Sequence, residues 1–267
     1  MNIISRQAAE GEPFSLGTER IEFISAYDGA SDWFYYTPGD PARRTVVFLH
    51  GAFSDGTQIY TREDVRLFWL ARVLKGGHPL LSLNMRGTTY MNPATTADTT
   101  EVLAWARREL ACREITFLGG SGGAFSALIY AMLHSEDLQG VVALGACDIV
   151  GWLRFLDQGQ EPILQRLAEF LREAYGGTPT QQPEVYGERS VLAHPERLMM
   201  PVVLTMGECD ALIPVAEART VAMALRVNPL FRYIEVPGGD HDSAVWVDID
   251  LETCSVRGHL RANSKLT

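Results

Sequence analysis

Eight short apolar runs, each closed by Gly, Pro or a polar residue, punctuate the chain at 20–26, 33–37, 45–50, 79–84, 114–118, 141–145, 201–206 and 231–236. Runs of this length and punctuation predict β-strands. The first alternates loosely, Ile21 and Phe23 against Arg20 and Glu22, whereas Val46-Val47-Phe48-Leu49 and Val141-Val142-Ala143-Leu144 are apolar throughout. Alternation marks a strand with one wet face, and unbroken apolarity marks a strand covered on both. The first two runs therefore predict an antiparallel edge hairpin, and the later ones a parallel sheet.

Between the later runs the apolar positions switch to helical spacing: Val65, Phe68, Trp69 and Val73; Val102, Leu103, Ala106 and Leu110; Phe125, Leu128, Ile129 and Met132; Val215, Ala218, Val221, Ala222 and Leu225. Strand and helix alternate, so right-handed crossovers place helices on both faces of a mostly parallel, eight-stranded twisted sheet. Such a sheet gathers its chemistry at the carboxyl ends of its strands. The alternation fails over 148–197, about fifty residues where one crossover helix needs far fewer. Within this insertion Ile163, Leu164, Leu167, Phe170, Leu171 and Ala174 form one apolar stripe, stopped by Gly176-Gly177 and followed by a loop bearing Pro179 and Pro183. Two readings stay open: a helix packed on the core, or a small helical cap whose apolar face also lines a pocket.

Composition narrows the class. With 267 residues, 46% of them hydrophobic, the chain can bury one large core, and a single domain over 1–267 is expected with 148–197 as its cap insertion. The 33 acidic against 23 basic side chains give a net charge of −10, which repels phosphate backbones and anionic lipid surfaces. Nucleic acid and membrane are thus not expected partners. No apolar run nears the roughly 20 residues of a membrane span, and the first fourteen residues are too polar for a secretory signal, so a cytoplasmic location is expected. Cys112, Cys147, Cys209 and Cys254 lack metal-ligand spacing and read as reduced, mostly buried thiols, with no metal or cofactor implied.

The candidate chemistry starts where run 114–118 meets the next helix, at Gly119-Gly120-Ser121-Gly122-Gly123. A Ser on so sharp a strand-to-helix turn needs small neighbours, and the turn lifts its hydroxyl above the sheet. The helix start then aims free N–H groups at the site, so the Gly122 N–H is a candidate oxyanion donor. Rival readings of the glycines fail on residues: a phosphate loop requires a Lys-Ser/Thr ending, and a dinucleotide fingerprint requires Gly or Ala where Phe125 stands. Ser alone is a poor nucleophile and needs a base and an orienting acid at the same sheet edge. Asp210 follows run 201–206, and His241 follows run 231–236 on the loop Pro237-Gly238-Gly239-Asp240. Asp148, at the end of run 141–145, is the alternative acid, with Glu208, Asp240 and Asp242 behind it. Run 45–50 ends in His50-Gly51-Ala52-Phe53, where the N–H of Ala52, or else of Phe53, completes the oxyanion hole and His50 is structural. His78, His134, His194 and His259 fall at helix ends, loops or the tail and read as solvated, while Arg86 reads as a loop anchor or, alternatively, a carboxylate clamp.

The order Ser121, Asp210, His241, each after its own strand, resembles the α/β-hydrolase superfamily from Thr45 to His241. Tyr186-Gly187-Glu188-Arg189-Ser190, leading into 200–207 and then Asp210, Ile213 and Pro214, is similar to the catalytic domain of prolyl oligopeptidase-type hydrolases and related esterases, without their propeller. The resemblance implies the α/β-hydrolase fold and a serine hydrolase acting on a small-molecule ester, thioester or short amide through an acyl-enzyme. It leaves two alternatives, a peptidase or aminoacyl-amide hydrolase, and a non-catalytic ligand-binding member of the fold.

Overall fold

The computed structural model describes the chain apart from residues 10, 12, 15, 16, 88, 89 and 260–267. Its main sheet is built from β1 (Asn2–Ala8), β2 (Glu19–Ile24), β3 (Ser31–Thr37), β4 (Thr45–Leu49), β5 (Leu80–Leu83), β6 (Ile115–Gly120), β7 (Gly140–Leu144), β8 (Val202–Gly207) and β9 (Phe231–Val236). The strands lie in the order β1-β2-β3-β5-β4-β6-β7-β8-β9. All pairings from β5 to β9 are parallel, while β1, β2 and β3 join antiparallel and β3 hands on to β5 antiparallel. The predicted hairpin and parallel sheet are both present, but among the described residues this sheet has nine strands where eight were expected. The additional strand, β1, is an edge strand half-buried at Ile3 and Ser5 and exposed elsewhere, and its Asn-Ile-Ile-Ser-Arg-Gln-Ala run has no fully buried position and no bounding glycines to mark a strand.

The helices are α1 (Gln58–Thr61), α2 (Glu63–Val65), α3 (Ala71–Lys75), α4 (Pro93–Glu109), α5 (Gly122–Leu133), α6 (Ile149–Gln158), α7 (Pro162–Tyr175), α8 (Pro183–Arg189) and α9 (Val215–Ala224), with a π turn over Arg66–Leu70 joining α2 to α3. Side chains of β4 point alternately to two cores. Val47 and Leu49 pack with Phe125, Trp152 and Leu171, and Val46 and Phe48 pack with Val65, Trp69 and Val245. Both faces of the sheet are therefore covered. The insertion holds three helices, α6 to α8, rather than the single one its apolar stripe announced. Beyond β9 a short ribbon, β10 (Val247–Ile249) with β11 (Val256–His259), adds Val247 and Ile249 to the second core and was not expected. Among the described residues no helix is long and apolar enough to cross a membrane.

Two glycines set how closely the Ser121 turn docks on the sheet. A Cβ on Gly123 would overlap the carbonyl oxygen of Leu49 at the end of β4, and one on Gly119 would overlap the carbonyl of Gly123. Helix α5 thus rests backbone to backbone on the central strand. Gly123→Ala should accordingly cost about 3 kcal/mol, because rigid backbone has to retreat. A denaturation midpoint within error of the parent's would contradict this close approach.

Candidate active site

Ser121 joins β6 to α5 with φ 54° and ψ −123°, a conformation that costs a non-glycine residue about 1–3 kcal/mol and persists only when its surroundings hold it. They do: the Ser121 N–H donates to the Leu144 carbonyl on β7 at 2.9 Å, and its own carbonyl accepts from the N–H groups of Ala124 (2.8 Å) and Phe125 (3.1 Å). Gly122, the first residue of α5, offers an N–H with no acceptor inside the helix.

The side chain of Asp210 is fully buried just past β8. Its Oδ1 accepts the N–H groups of Leu212 and Ile213 at 2.8 and 2.9 Å, and its Oδ2 lies 2.7 Å from Nδ1 of His241. The loops bearing these residues are stitched together: the N–H of Cys209 donates to Gly239 O at 2.7 Å and that of Glu208 to Val236 O at 3.1 Å. Gly207 permits the approach, since a Cβ there would overlap the Asp240 carbonyl. His241 and Ser121 line one pocket, together with Gln58, Arg62, Trp69 and Val245.

Each alternative acid is committed elsewhere. Asp148 caps α6 through Oδ2, taking the N–H groups of Val150 and Gly151, and its Oδ1 accepts Ser190 Oγ at 2.7 Å and the Leu192 N–H at 3.2 Å. Glu208 accepts the Gly238 N–H, Asp240 caps the turn after it through Ser243, and Asp242 pairs with Arg62 at 2.7 Å. Of the five carboxylates, Asp210 is the one bonded to His241.

On the other side of the Ser121 turn, the loop after β4 runs close beside it, with the Cβ position of Gly51 3.5 Å from Gly120 O. Beneath that loop His50 is fully buried, its ring nitrogens each 2.8 Å from a carbonyl, Nδ1 from Gly51 and Nε2 from Asn84. Burial holds His50 below the ordinary imidazole range. Its place under the loop is the structural one expected. Ala52 is half-buried, and Phe53 follows with φ 61°.

The insertion reaches over this loop. The Phe53 ring packs on Phe170 of α7 with centroids 4.9 Å apart, and the Arg166 guanidinium sits 4.2 Å above it. Leu171, one residue on, is fully buried in the core. Leu171 thus follows the core reading of the stripe, while Phe170 packs on the loop after β4.

Arg86 is the anchor rather than the clamp. Its guanidinium takes both oxygens of Asp28 (2.6 and 3.0 Å) and Oδ2 of Asp98 (2.6 Å), and its backbone N–H donates to Asp32. Hydrogen bonding to Asp28, then to Asp98, raises its pKa further. His78 corrects the reading of solvated histidines: it is buried, with Nδ1 2.9 Å from the Arg44 carbonyl, while His134 and His194 are half-buried and the side chain of His259 lies outside the described residues. Sequence reasoning also missed the ties from the insertion to the segment after β5, where Tyr90 and Met91 both have positive φ. Tyr175 Oη donates to Tyr90 O at 2.7 Å and Arg189 Nε to Met91 O at 2.6 Å. Among the described residues no group of three His, Cys, Asp or Glu side chains is placed to hold a metal ion.

None of the curated proteins compared matches the chain. Solved structures resemble it at low identity. The esterase of Pyrococcus furiosus is 19% identical with a TM-score of 0.62, over 90% of this chain and 89% of its own. The S-formylglutathione hydrolase of Staphylococcus aureus is 15% identical with a TM-score of 0.62, over 85% and 92%. A puromycin-hydrolysing peptidase of Mycobacterium tuberculosis is 18% identical with a TM-score of 0.66, over 88% of this chain but 38% of its own. At these identities the likeness speaks for the fold alone. The sequence model of the α/β-hydrolase fold matches residues 44–229, from the start of β4 to just before β9, and by that match the chain belongs to the α/β-hydrolase fold family.

Proposed function

We propose that the protein is a serine hydrolase of small carboxylic esters or thioesters, with Ser121 as nucleophile, His241 as base and Asp210 as the orienting acid. The observation that carries this reading is the 2.7 Å contact between Asp210 and His241, made in a pocket that also exposes a strained Ser121. Asp210 accepts the proton-bearing Nδ1 of His241, which leaves Nε2 as a lone pair able to take the Ser121 proton. The alkoxide adds to the substrate carbonyl, and the N–H groups of Gly122 and Ala52 receive the oxyanion. His241 returns the proton to the leaving oxygen as the carbon–oxygen bond breaks. Water, deprotonated by the same His, then releases the acid from Ser121. These steps call for no cofactor.

A fluorophosphonate probe tests the nucleophile, because it reacts with a Ser activated by its base. One adduct per chain, mapping to the peptide that holds Ser121 and lost in Ser121→Ala, is expected. An adduct that survives that substitution overturns the proposal, and no adduct at all favours the non-catalytic, ligand-binding reading. The likeness to a puromycin-hydrolysing peptidase motivates a second reading, hydrolysis of aminoacyl amides by the same residues. Turnover of aminoacyl anilides above matched esters would select it.

On this reading, the contact between Phe53 and Phe170, which packs the insertion onto the loop after β4, limits the acyl side. Phe170→Ala should move the preference among p-nitrophenyl esters toward longer acyl chains by about tenfold, since opening room for a few methylenes is worth about 1–3 kcal/mol. Leu171→Ala should instead lower stability by about 2–5 kcal/mol with the preference kept. Equal losses on every ester in both variants would make α7 a packing element only.

A further inference from the structure

The pocket shared by Ser121 and His241 is also lined by Gln58, a polar group that the proposed mechanism does not use. Gln58, in α1, accepts the Gly51 N–H through Oε1 at 2.9 Å. A backbone N–H can only donate, so this bond fixes which end of the carboxamide is oxygen and turns the amide nitrogen the other way. Among the described residues that nitrogen, Nε2, has no hydrogen-bond partner, and Gln58 lines the pocket. The pocket's walls are apolar, formed by Phe48, Val65, Trp69, Leu144 and Val245, and the Trp69 indole N–H is spent on the Val245 carbonyl. At the rim Arg62 is shared between Asp64 and Asp242, so the three side chains together carry one net negative charge.

The position of this pocket relative to the reacting groups decides what enters it. His241 and Asp242 line it, whereas Gly122, Ala52, Phe53 and Phe170 do not. It runs from His241 and Asp242 on one side to Gly51 and Gly120 on the other, with Ser121 between them. The group that receives the His241 proton is the leaving oxygen, so the alcohol part of the substrate has to sit against His241.

We infer that Gln58 is a specificity-determining residue that donates from Nε2 to an acceptor oxygen in the alcohol part of a neutral ester. The inference rests on the serine-hydrolase reading. The alcohols it selects carry an ether, carbonyl or hydroxyl oxygen a few bonds beyond the ester oxygen. The negative rim disfavours anionic ones.

The test compares 2-methoxyethyl acetate with n-butyl acetate, which differ by one oxygen in place of a methylene, in the full-length protein. Active sites are counted by fluorophosphonate adduct. Gln58→Glu keeps an oxygen for the Gly51 N–H and replaces the free donor by an acceptor. Its ratio of kcat/KM, methoxyethyl over butyl, should fall about tenfold below the parent's, the size expected for one hydrogen bond; comparing ratios cancels the different reactivity of the two alcohols. Gln58→Met, which lacks the donor without adding charge, should lower the ratio likewise and serves if the Glu variant does not fold. An unchanged ratio in a labelled, active variant, with both esters slowed equally, reduces Gln58 to a buttress for Gly51 and overturns this inference alone. A parent protein that takes no label and cleaves neither ester overturns the hydrolase reading and this one with it.

Discussion

Ser121→Ala and His241→Ala should each lower kcat by about a millionfold, and the double variant should be scarcely worse than either. The non-additivity comes from the division of labour in the site. Without the base the hydroxyl is not deprotonated, and without the hydroxyl the base has nothing to activate, so either loss removes the same step. On the proposed mechanism the residual rate over water belongs to the oxyanion donors assigned to Gly122 and Ala52, which neither substitution touches. Neither variant should unfold the protein. Ser121 is held through its backbone, by the Leu144, Ala124 and Phe125 bonds, and Ala at φ 54° faces no worse strain than Ser. His241 is half-buried at the pocket, with a single side-chain hydrogen bond to Asp210. Steady-state turnover on a p-nitrophenyl ester with unchanged circular dichroism checks the pair. Losses that multiply in the double variant would mean that the two residues do not act as one unit.

That Ser121, Asp210 and His241 come together is legible in the sequence, because each stands just after a strand that announces itself. Runs 45–50, 114–118 and 201–206 are apolar because β4, β6 and β8 lie inside the parallel part of the sheet, run 231–236 forms its half-buried edge strand β9, and a parallel sheet delivers its strand ends to one edge. The residues just past those runs are therefore gathered in space without any further signal. Boundaries shifted by one or two residues, as at β6, which extends to Gly120. Much of what was not legible depends on the partner a residue or strand finds rather than on its own sequence. Strand β1 is fixed by pairing with β2 at the sheet's edge, where no residue is fully buried. Asp148 looks like a site residue by position, and only Ser190 and Leu192, more than forty residues on, reveal it as a structural anchor. Arg86 is decided in the same way by Asp28 and Asp98. Gln58 carries no motif at all, and only the direction of its bond to Gly51 makes it a candidate for function.

Asp210→Asn and Asp148→Asn should separate catalysis from stability, and the hydrogen bonds around each carboxylate say how. At position 210 the amides of Leu212 and Ile213 both donate to Oδ1, so an Asn has to place its carbonyl oxygen there and turn its NH2 toward His241. Nδ1 must then accept, which puts the imidazole proton on Nε2, the atom that has to take the proton from Ser121. Turnover should fall about ten-thousandfold through this wrong tautomer. The two backbone bonds survive, so the loss of stability stays small and the peptide with Ser121 still reacts with the probe, only far more slowly. At position 148 all four bonds are donated to the carboxylate, two to each oxygen. An Asn there offers one oxygen, and its NH2 confronts either the start of α6 or the Ser190 and Leu192 groups. The expected cost is about 1–3 kcal/mol of stability, since buried donors are left unpaired. Turnover at a temperature where the variant stays folded should change less than tenfold. The measurement is a pair of denaturation curves beside a pair of kcat values; a folded Asp148→Asn variant that loses as much turnover as Asp210→Asn would transfer the acid's role to the strand before the insertion.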